Sequence, residues 1–362
     1  MSLAILGMGT ALPPCSIAQG DAVELAKAFC CRTDEQARLL PTLYKHTHIQ
    51  RRGSVLLETN GSTPRQAFFS PRRGEADRGP TTEQRMQRYA QEAAPLALAA
   101  ARRALAESQL AAAQISHLIT VSCTGFVAPG IDIRLTKELG LASSVSRTHV
   151  GFMGCHGALN GLRVASALGD TSPDARTLLC AVELCSLHFS YGWDSEKIVA
   201  NALFADGAAA LIGASTAREP TNVWQVAATG SYLFPDSEDA MSWRIGDYGF
   251  DMTLSVRIPT LIAKHLRPWL EHWLGQNGLT LQHVRSWAIH PGGPRLLRTI
   301  AACLDLPNRA TAASRKILAE CGNMSSPTVL FILERLRRDR APRPCVALGF
   351  GPGLVAEAAL LT

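Results

Sequence analysis

Residues 151–161 read Gly151-Phe152-Met153-Gly154-Cys155-His156-Gly157-Ala158-Leu159-Asn160-Gly161, four glycines around one cysteine. The segment sits where strand signals give way to helix signals, so the fold must carry one directly into the other. Small residues there let the backbone turn sharply and a ligand approach closely. A cysteine at a helix N-terminus faces the positive end of the helix dipole, which lowers a thiol pKa and favours thiolate. The N–H groups of the same turn suit a developing oxyanion. A glycine-rich helix–sheet crossing holding an inert thiol fits the segment equally well.

Strand and helix signals alternate along the whole chain. Residues 2–9 predict a first strand, and residues 54–80 are the most loop-like stretch. A long alanine-rich helix is expected over Thr82–Ser108, with Glu83 in its first turn. Strands follow at 115–122, 177–184 and 208–214, with helices at 132–139, 155–168 and 196–203. The second half repeats the plan in outline: a helix at 259–274, a strand at 284–289, a helix at 328–337 and paired segments at 345–350 and 354–361. Cys123 precedes Cys155 by 155 − 123 = 32 residues, and His290 precedes Asn323 by 323 − 290 = 33. In each half a strand end is followed at nearly the same distance by a polar residue at a helix start. A duplicated α/β unit explains this better than coincidence.

Composition narrows the function classes. With 47% hydrophobic and 18% charged residues the chain can bury a large core, and disorder is excluded. No stretch approaches the roughly 18 apolar residues of a membrane span. The N-terminus lacks a basic leader region and runs into a strand, so a cytoplasmic location is expected. The ten cysteines include no C-x-x-C pair and no Cys/His cluster at zinc spacing, so neither a metal site nor a disulfide scaffold is expected. The net charge, 36 − 30 = +6, comes with arginines that lack interleaved aromatics, which argues against nucleic acid. The arginines between 51 and 78 suit the phosphates of coenzyme A; those between 335 and 343 read as a solvated helix end.

A nucleophilic thiolate needs a cation or base beside it. His290 stands out among ten histidines because it ends the apolar strand Trp287-Ala288-Ile289 before Pro291-Gly292-Gly293, and side chains at strand C-termini often carry function in α/β folds. Asn323 and Ser325 lie in Cys321-Gly322-Asn323-Met324-Ser325-Ser326-Pro327, where either also suits a helix N-cap. Together Cys155, His290 and Asn323 form a set far more specific than any member.

These residues resemble the type III polyketide synthases, relatives of chalcone and stilbene synthase with the thiolase fold. Further carriers are Leu203-Phe204-Ala205-Asp206-Gly207-Ala208-Ala209, His290-Pro291-Gly292-Gly293-Pro294, Gly322-Asn323-Met324-Ser325-Ser326 and Gly349-Phe350-Gly351-Pro352-Gly353-Leu354. The resemblance implies an α/β protein of two thiolase-like halves, residues 1–217 and 218–362, layered αβαβα and paired as a homodimer. It implies that Cys155 carries the acyl chain, with His290 and Asn323 completing the triad and Phe204 as gatekeeper of a coenzyme A tunnel. The substrates would be an acyl-CoA starter and malonyl-CoA, condensed iteratively with loss of CO₂ and then cyclised to a pyrone, resorcinol, phloroglucinol or related ring, without metal or redox cofactor.

The chain departs from the plant pattern in its pocket. Cys123 replaces an active-site threonine, Ala128 the residue that reaches across the dimer, His188 a cavity threonine, Trp243 a cavity glycine and Met252 a second gatekeeper phenylalanine. With Ser325 these are the expected substrate-binding positions, while Lys45, Arg51 and Arg52 are weak stand-ins for the residues that hold coenzyme A. A single-round ketoacyl synthase, a cysteine-dependent acyl-thioester hydrolase and an acyl-CoA-binding scaffold remain as alternatives.

Overall fold

The computed structural model describes residues 3–59, 64–215 and 223–362, so the expected boundary at 217/218 lies outside the described residues. Strands β1 (Leu3–Ala11) and β2 (Ser16–Ala18) lead into helices α1 (Gln19–Cys30) and α2 (Asp34–Lys45), then the short strands β3 (Arg51–Gly53), β4 (Glu58–Thr59) and β5 (Pro64–Arg65). Next come α3 (Thr82–Ser108), β6 (His117–Ser122), α4 (Ile131–Leu139), β7 (Ser146–Gly151) and α5 (Gly157–Thr171). The first half closes with β8 (Arg176–Leu184), α6 (Ser195–Leu203) and β9 (Asp206–Ser215). The second half opens with β10 (Gln225–Leu233), the hairpin β11 (Met241–Gly246) and β12 (Gly249–Leu254), then α7 (Ile258–Gln276) and β13 (Ser286–Ile289). It ends with α8 (Pro294–Cys303), α9 (Ala312–Cys321), α10 (Pro327–Arg338), β14 (Cys345–Gly351) and β15 (Val355–Leu361).

Nine strands form one sheet in the order β13-β14-β15-β10-β1-β9-β8-β6-β7. The duplication is visible in this order. In the first half β6 runs parallel to β8, β8 antiparallel to β9, and β9 antiparallel to β1. In the second, β13 runs parallel to β14, β14 antiparallel to β15, and β15 antiparallel to β10. The two sets meet where β1 touches β10 through only two residue pairs, Leu3↔Val226 and Ala4↔Gln225.

Side-chain alternation along the strands builds the layers. Ile119, Val121, Leu179, Ala209 and Leu211 face a core shared with Leu159 and Leu162 of α5 and Val329, Leu330 and Leu333 of α10. Cys345, Ala347, Ala359 and Leu361, from the other half, face the same core. The intervening Leu118, Leu178, Cys180, Val182, Ala208 and Ala210 point the opposite way, onto the alanine face of α3. Val346, Leu348, Ala356 and Ala358 likewise turn outward onto Ile262, Leu266 and Leu270 of α7 and Leu297 and Ile300 of α8. Helices therefore lie outside both half-sheets, with α5 and α10 buried between them, in the expected αβαβα arrangement. Gly161 lets α5 come this close, because a Cβ there would stand 2.6 Å from Leu179 Cδ1.

The predicted helix over Thr82–Ser108 spans those residues, started by a capping box between Thr81 and Gln84. The 54–80 stretch contains the small β4–β5 pairing, while 60–63 lie outside the described residues. Among the described residues no helix is long and apolar enough to cross a membrane.

Candidate active site

Cys155 stands in a 3-10 turn, Gly154–His156, between the end of β7 and the first residue of α5. Gly154 has φ +74°, and a Cβ on it would lie 2.4 Å from Pro352 Cδ. Both facts demand glycine beside the thiol. Gly154→Ala is expected to cost about 3 kcal/mol, from left-handed strain plus overpacking. The shift in the denaturant midpoint at unchanged m-value checks it.

The loop between α9 and α10 supplies the polar neighbours of the sulfur. Cys155 is half-buried, and the Ser325 hydroxyl and Asn323 amide lie within hydrogen-bonding reach of it. Asn323 follows α9, and its backbone is stitched to the end of α6: Asn323 N–H donates to Leu203 O at 2.9 Å and Ala205 N–H to Asn323 O at 2.9 Å. Ser325 N–H donates to Asn323 Oδ1 at 2.8 Å. That bond fixes the amide orientation, leaving the NH₂ end free to face the sulfur. Neither Asn323 nor Ser325 caps α10, which starts at Pro327 after Ser326 with no side-chain cap bond.

His290 follows β13, anchored by its N–H to Leu348 O at 2.8 Å. It is buried, and among the described residues neither ring nitrogen has a hydrogen-bond partner. Such a group in a folded core marks a place where a partner arrives from outside the chain. Its ionisable neighbour is His156, the residue after Cys155.

Burial opposes the expected thiolate. Burial pushes the Cys155 thiol up to about 12, against the pull of Ser325 and Asn323, and the buried Glu183 carboxylate adds to the rise. Burial also pushes His290 down to about 3, aided by His156. Burial thus favours the uncharged form of each group. Helix α5 begins two residues past the cysteine, so the dipole acts weakly while the dry surroundings penalise both charges.

The candidate pocket residues do converge. One cavity, about 1280 Å³ with its open mouth included, is lined by Cys155, Phe204, Cys123, His188, Trp243 and Met252, and by Ser325 beside them. His188 does more than occupy space. Phe250 N–H donates to its Nδ1 at 3.0 Å, so Nε2 must carry the proton that it gives to Thr124 O at 2.7 Å. Burial, the main cause, lowers its pKa to about 3. Trp243 Nε1–H donates to Cys123 O at 2.7 Å. These bonds fasten the β11–β12 hairpin to the end of β6, and the hairpin becomes the cavity wall.

Ala128 does not line the cavity; it lies in an exposed loop with Phe126 and Val127. Lys45 and Arg51 are exposed outside it. Arg52 also lines the cavity, and its guanidinium donates to Gln19 Oε1 at 2.9 Å, Asn201 O at 2.6 Å and Phe204 O at 2.7 Å through Nε and Nη1.

Sequence reasoning passed over Glu183. This wholly buried carboxylate accepts from Cys123 N–H at 2.9 Å and Thr124 Oγ1 at 2.7 Å, and from the hydroxyls of Ser122 and Ser326. It ties the end of β6 to the start of α10, behind the cavity. Its signal was one charged residue in the apolar strand 178–184. All ten cysteines are free thiols, and among the described residues no cluster of three or more His, Cys, Asp or Glu is placed to hold a metal.

Comparison with known proteins agrees with this architecture. Residues 2–216 match the family model for chalcone and stilbene synthases, N-terminal domain, and residues 225–362 the C-terminal domain. The chain is 33% identical over 363 residues to the alpha-pyrone synthesis polyketide synthase-like Pks18 of Mycobacterium tuberculosis, covering 98% of this chain and 90% of that one. It is 34% identical over 362 residues to the 1,3,6,8-tetrahydroxynaphthalene synthase of Streptomyces peucetius, covering 99% and 92%. The crystal structure of PKS-I from the brown alga Ectocarpus siliculosus superposes with a TM-score of 0.92 at 31% identity, covering 99% of this chain and 98% of that one. With both halves matched and the thiolase fold in place, the chain belongs to the chalcone and stilbene synthases and is a type III polyketide synthase, an acyl-transferring enzyme.

Proposed function

We propose that Cys155 is the acyl-carrying nucleophile of an iterative malonyl-CoA condensation, with His290 and Asn323 as its partners. The observation that carries this reading is the cavity that holds Cys155 and Ser325, with the Asn323 amide oriented by the bond from Ser325 N–H and a buried His290 whose two ring nitrogens have no partner among the described residues. The thiol gives its proton to His290 as sulfur attacks the starter thioester, and the departing CoA thiolate takes that proton. The developing thiolate needs no solvent, since Ser325 and Asn323 stand ready to donate to it. Malonyl-CoA enters next. A ring N–H of His290 and the Asn323 amide donate to its thioester carbonyl, and the enolate left by CO₂ is held by the same donors. That carbanion attacks the Cys155 thioester, breaking the carbon–sulfur bond and forming a carbon–carbon bond. Transfer of the lengthened chain back to Cys155 starts another round, and cyclisation releases the product.

Phe204 supplies the cavity with an apolar wall that disfavours a solvated carboxylate, while Cys123, His188, Trp243, Met252 and Ser325 shape the space for the growing chain. Arg51 and Lys45, both exposed, are basic candidates for coenzyme A phosphates. No cofactor beyond the CoA thioesters is needed for these steps. The protein would act as a homodimer. Strand β7 ends the nine-stranded sheet with an exposed edge, next to the exposed Phe126, Val127 and Ala128. Such an edge invites a second copy.

Mass spectrometry of products from malonyl-CoA with short, long and aromatic acyl-CoAs tests the reading. Products heavier than the starter by several two-carbon units are expected. One added unit would favour a single-round ketoacyl synthase, and free acid without CO₂ release a hydrolase.

A further inference from the structure

The C-terminal end of α6 is satisfied entirely from outside the helix except for one bond. Its last turn and the following residue expose five carbonyls, each with a partner. Ala200 O accepts from Phe204 N–H at 3.1 Å, and Ala202 O from Gln19 Nε2 at 2.8 Å. Leu203 O accepts from Asn323 N–H at 2.9 Å. Asn201 O and Phe204 O both accept from the Arg52 guanidinium. Helix ends leave such carbonyls orphaned, and a cation there is favoured by the helix dipole. The Arg52 stem is equally placed: a Cβ on Gly322, the residue before Asn323, would meet Arg52 Cγ at 3.0 Å and Cδ at 3.2 Å. The guanidinium also sits over the Tyr44 ring, 5.8 Å from its centroid.

We propose that Arg52 is a positioning residue for Asn323. Its guanidinium fixes the end of α6, and that end holds the Asn323 backbone through the paired bonds from Leu203 and Ala205. The inference rests on the role given to Asn323 above. Without the guanidinium, two carbonyls lose their donors, the end of α6 shifts, and the Asn323 amide leaves its place before the substrate carbonyl. Loading of Cys155 keeps the Ser325 hydroxyl as a donor to the sulfur when that amide moves, whereas decarboxylation loses its amide donor, so the two half-reactions should separate.

The test uses the full-length protein with Arg52→Met, which keeps stem length, and Arg52→Lys, which keeps charge. Release of CO₂ from malonyl-CoA and transfer of a starter acyl group to Cys155, read by intact-protein mass, are measured side by side with thermal midpoints. A displacement near 1 Å costs on the order of 100-fold. Arg52→Met should therefore lose about 10- to 100-fold in the kcat of decarboxylation, with acyl loading within about twofold of the parent, and Arg52→Lys should recover about tenfold of that loss. Decarboxylation within twofold of the parent in both variants would overturn the assignment. So would loading and decarboxylation that fall together with the thermal midpoint, because that pattern marks general destabilisation. If the parent protein itself releases no CO₂ from malonyl-CoA, the Asn323 role falls, and with it the ground for Arg52.

Discussion

Cys155→Ala is expected to lower product formation by about four orders of magnitude, the scale seen when a covalent nucleophile is removed from a site whose members act as a unit. The side chain is half-buried and the change removes one sulfur atom from the cavity wall, so the variant should fold with a thermal midpoint close to the parent. The diagnostic part is what survives. On the proposed mechanism the His290 ring and the Asn323 amide polarise the malonyl thioester without help from the sulfur. The variant should therefore still release CO₂ from malonyl-CoA while taking up no acyl group, as read by intact-protein mass. Product formation at the parent rate would end the case for Cys155 as nucleophile.

Asn323→Ala should give the opposite pattern. Removing one donor aimed at a developing oxyanion costs about 10²–10³-fold in kcat. Acyl transfer to Cys155 should continue, since Ser325 still reaches the sulfur, but CO₂ release and chain extension should fall by that factor. Asn323→Asp is the sharper control. It keeps the bond from Ser325 N–H but places a carboxylate oxygen where the NH₂ donor stood, so it should be at least as damaged as alanine. Full decarboxylation by either variant would show that the amide does not hold the enolate.

The parts of this molecule legible in its sequence are those set by local pattern. The helix at Thr82–Ser108 reads cleanly because its residues favour helix throughout and its cap is sequential. The duplicated plan is legible because nearly equal spacing, 32 and 33 residues, sets Cys155 and Asn323 just ahead of α5 and α10. Helices α1, α2, α8 and α9 and strands β10–β12 escaped, because their identity depends on what they pack against. The burial that opposes a Cys155 thiolate was hidden for a related reason. The sequence locates a helix start near it, whereas the dryness that raises its pKa comes from walls contributed by residues far along the chain. Arg52 is the clearest case. Its partners Gln19, Asn201 and Phe204 are 33, 149 and 152 residues away, and nothing local distinguishes it from Arg51, which reaches only the Ser16 hydroxyl.

The seam between the half-sheets carries a mechanical consequence. Among the described residues β1 and β10 pair at two positions, with one further bond from Ile5 N–H to Trp224 O, so much of the alignment of the halves falls to the shared core that α5 and α10 build between the sheets. The thiol belongs to one half and its histidine and asparagine to the other. Their mutual aim is thus machined by aliphatic side chains such as Leu159, Leu162, Val329 and Leu330, none of which line the cavity. A methyl group added or removed there would act as a shim between two blocks, detuning the reaction well before it unfolds the protein.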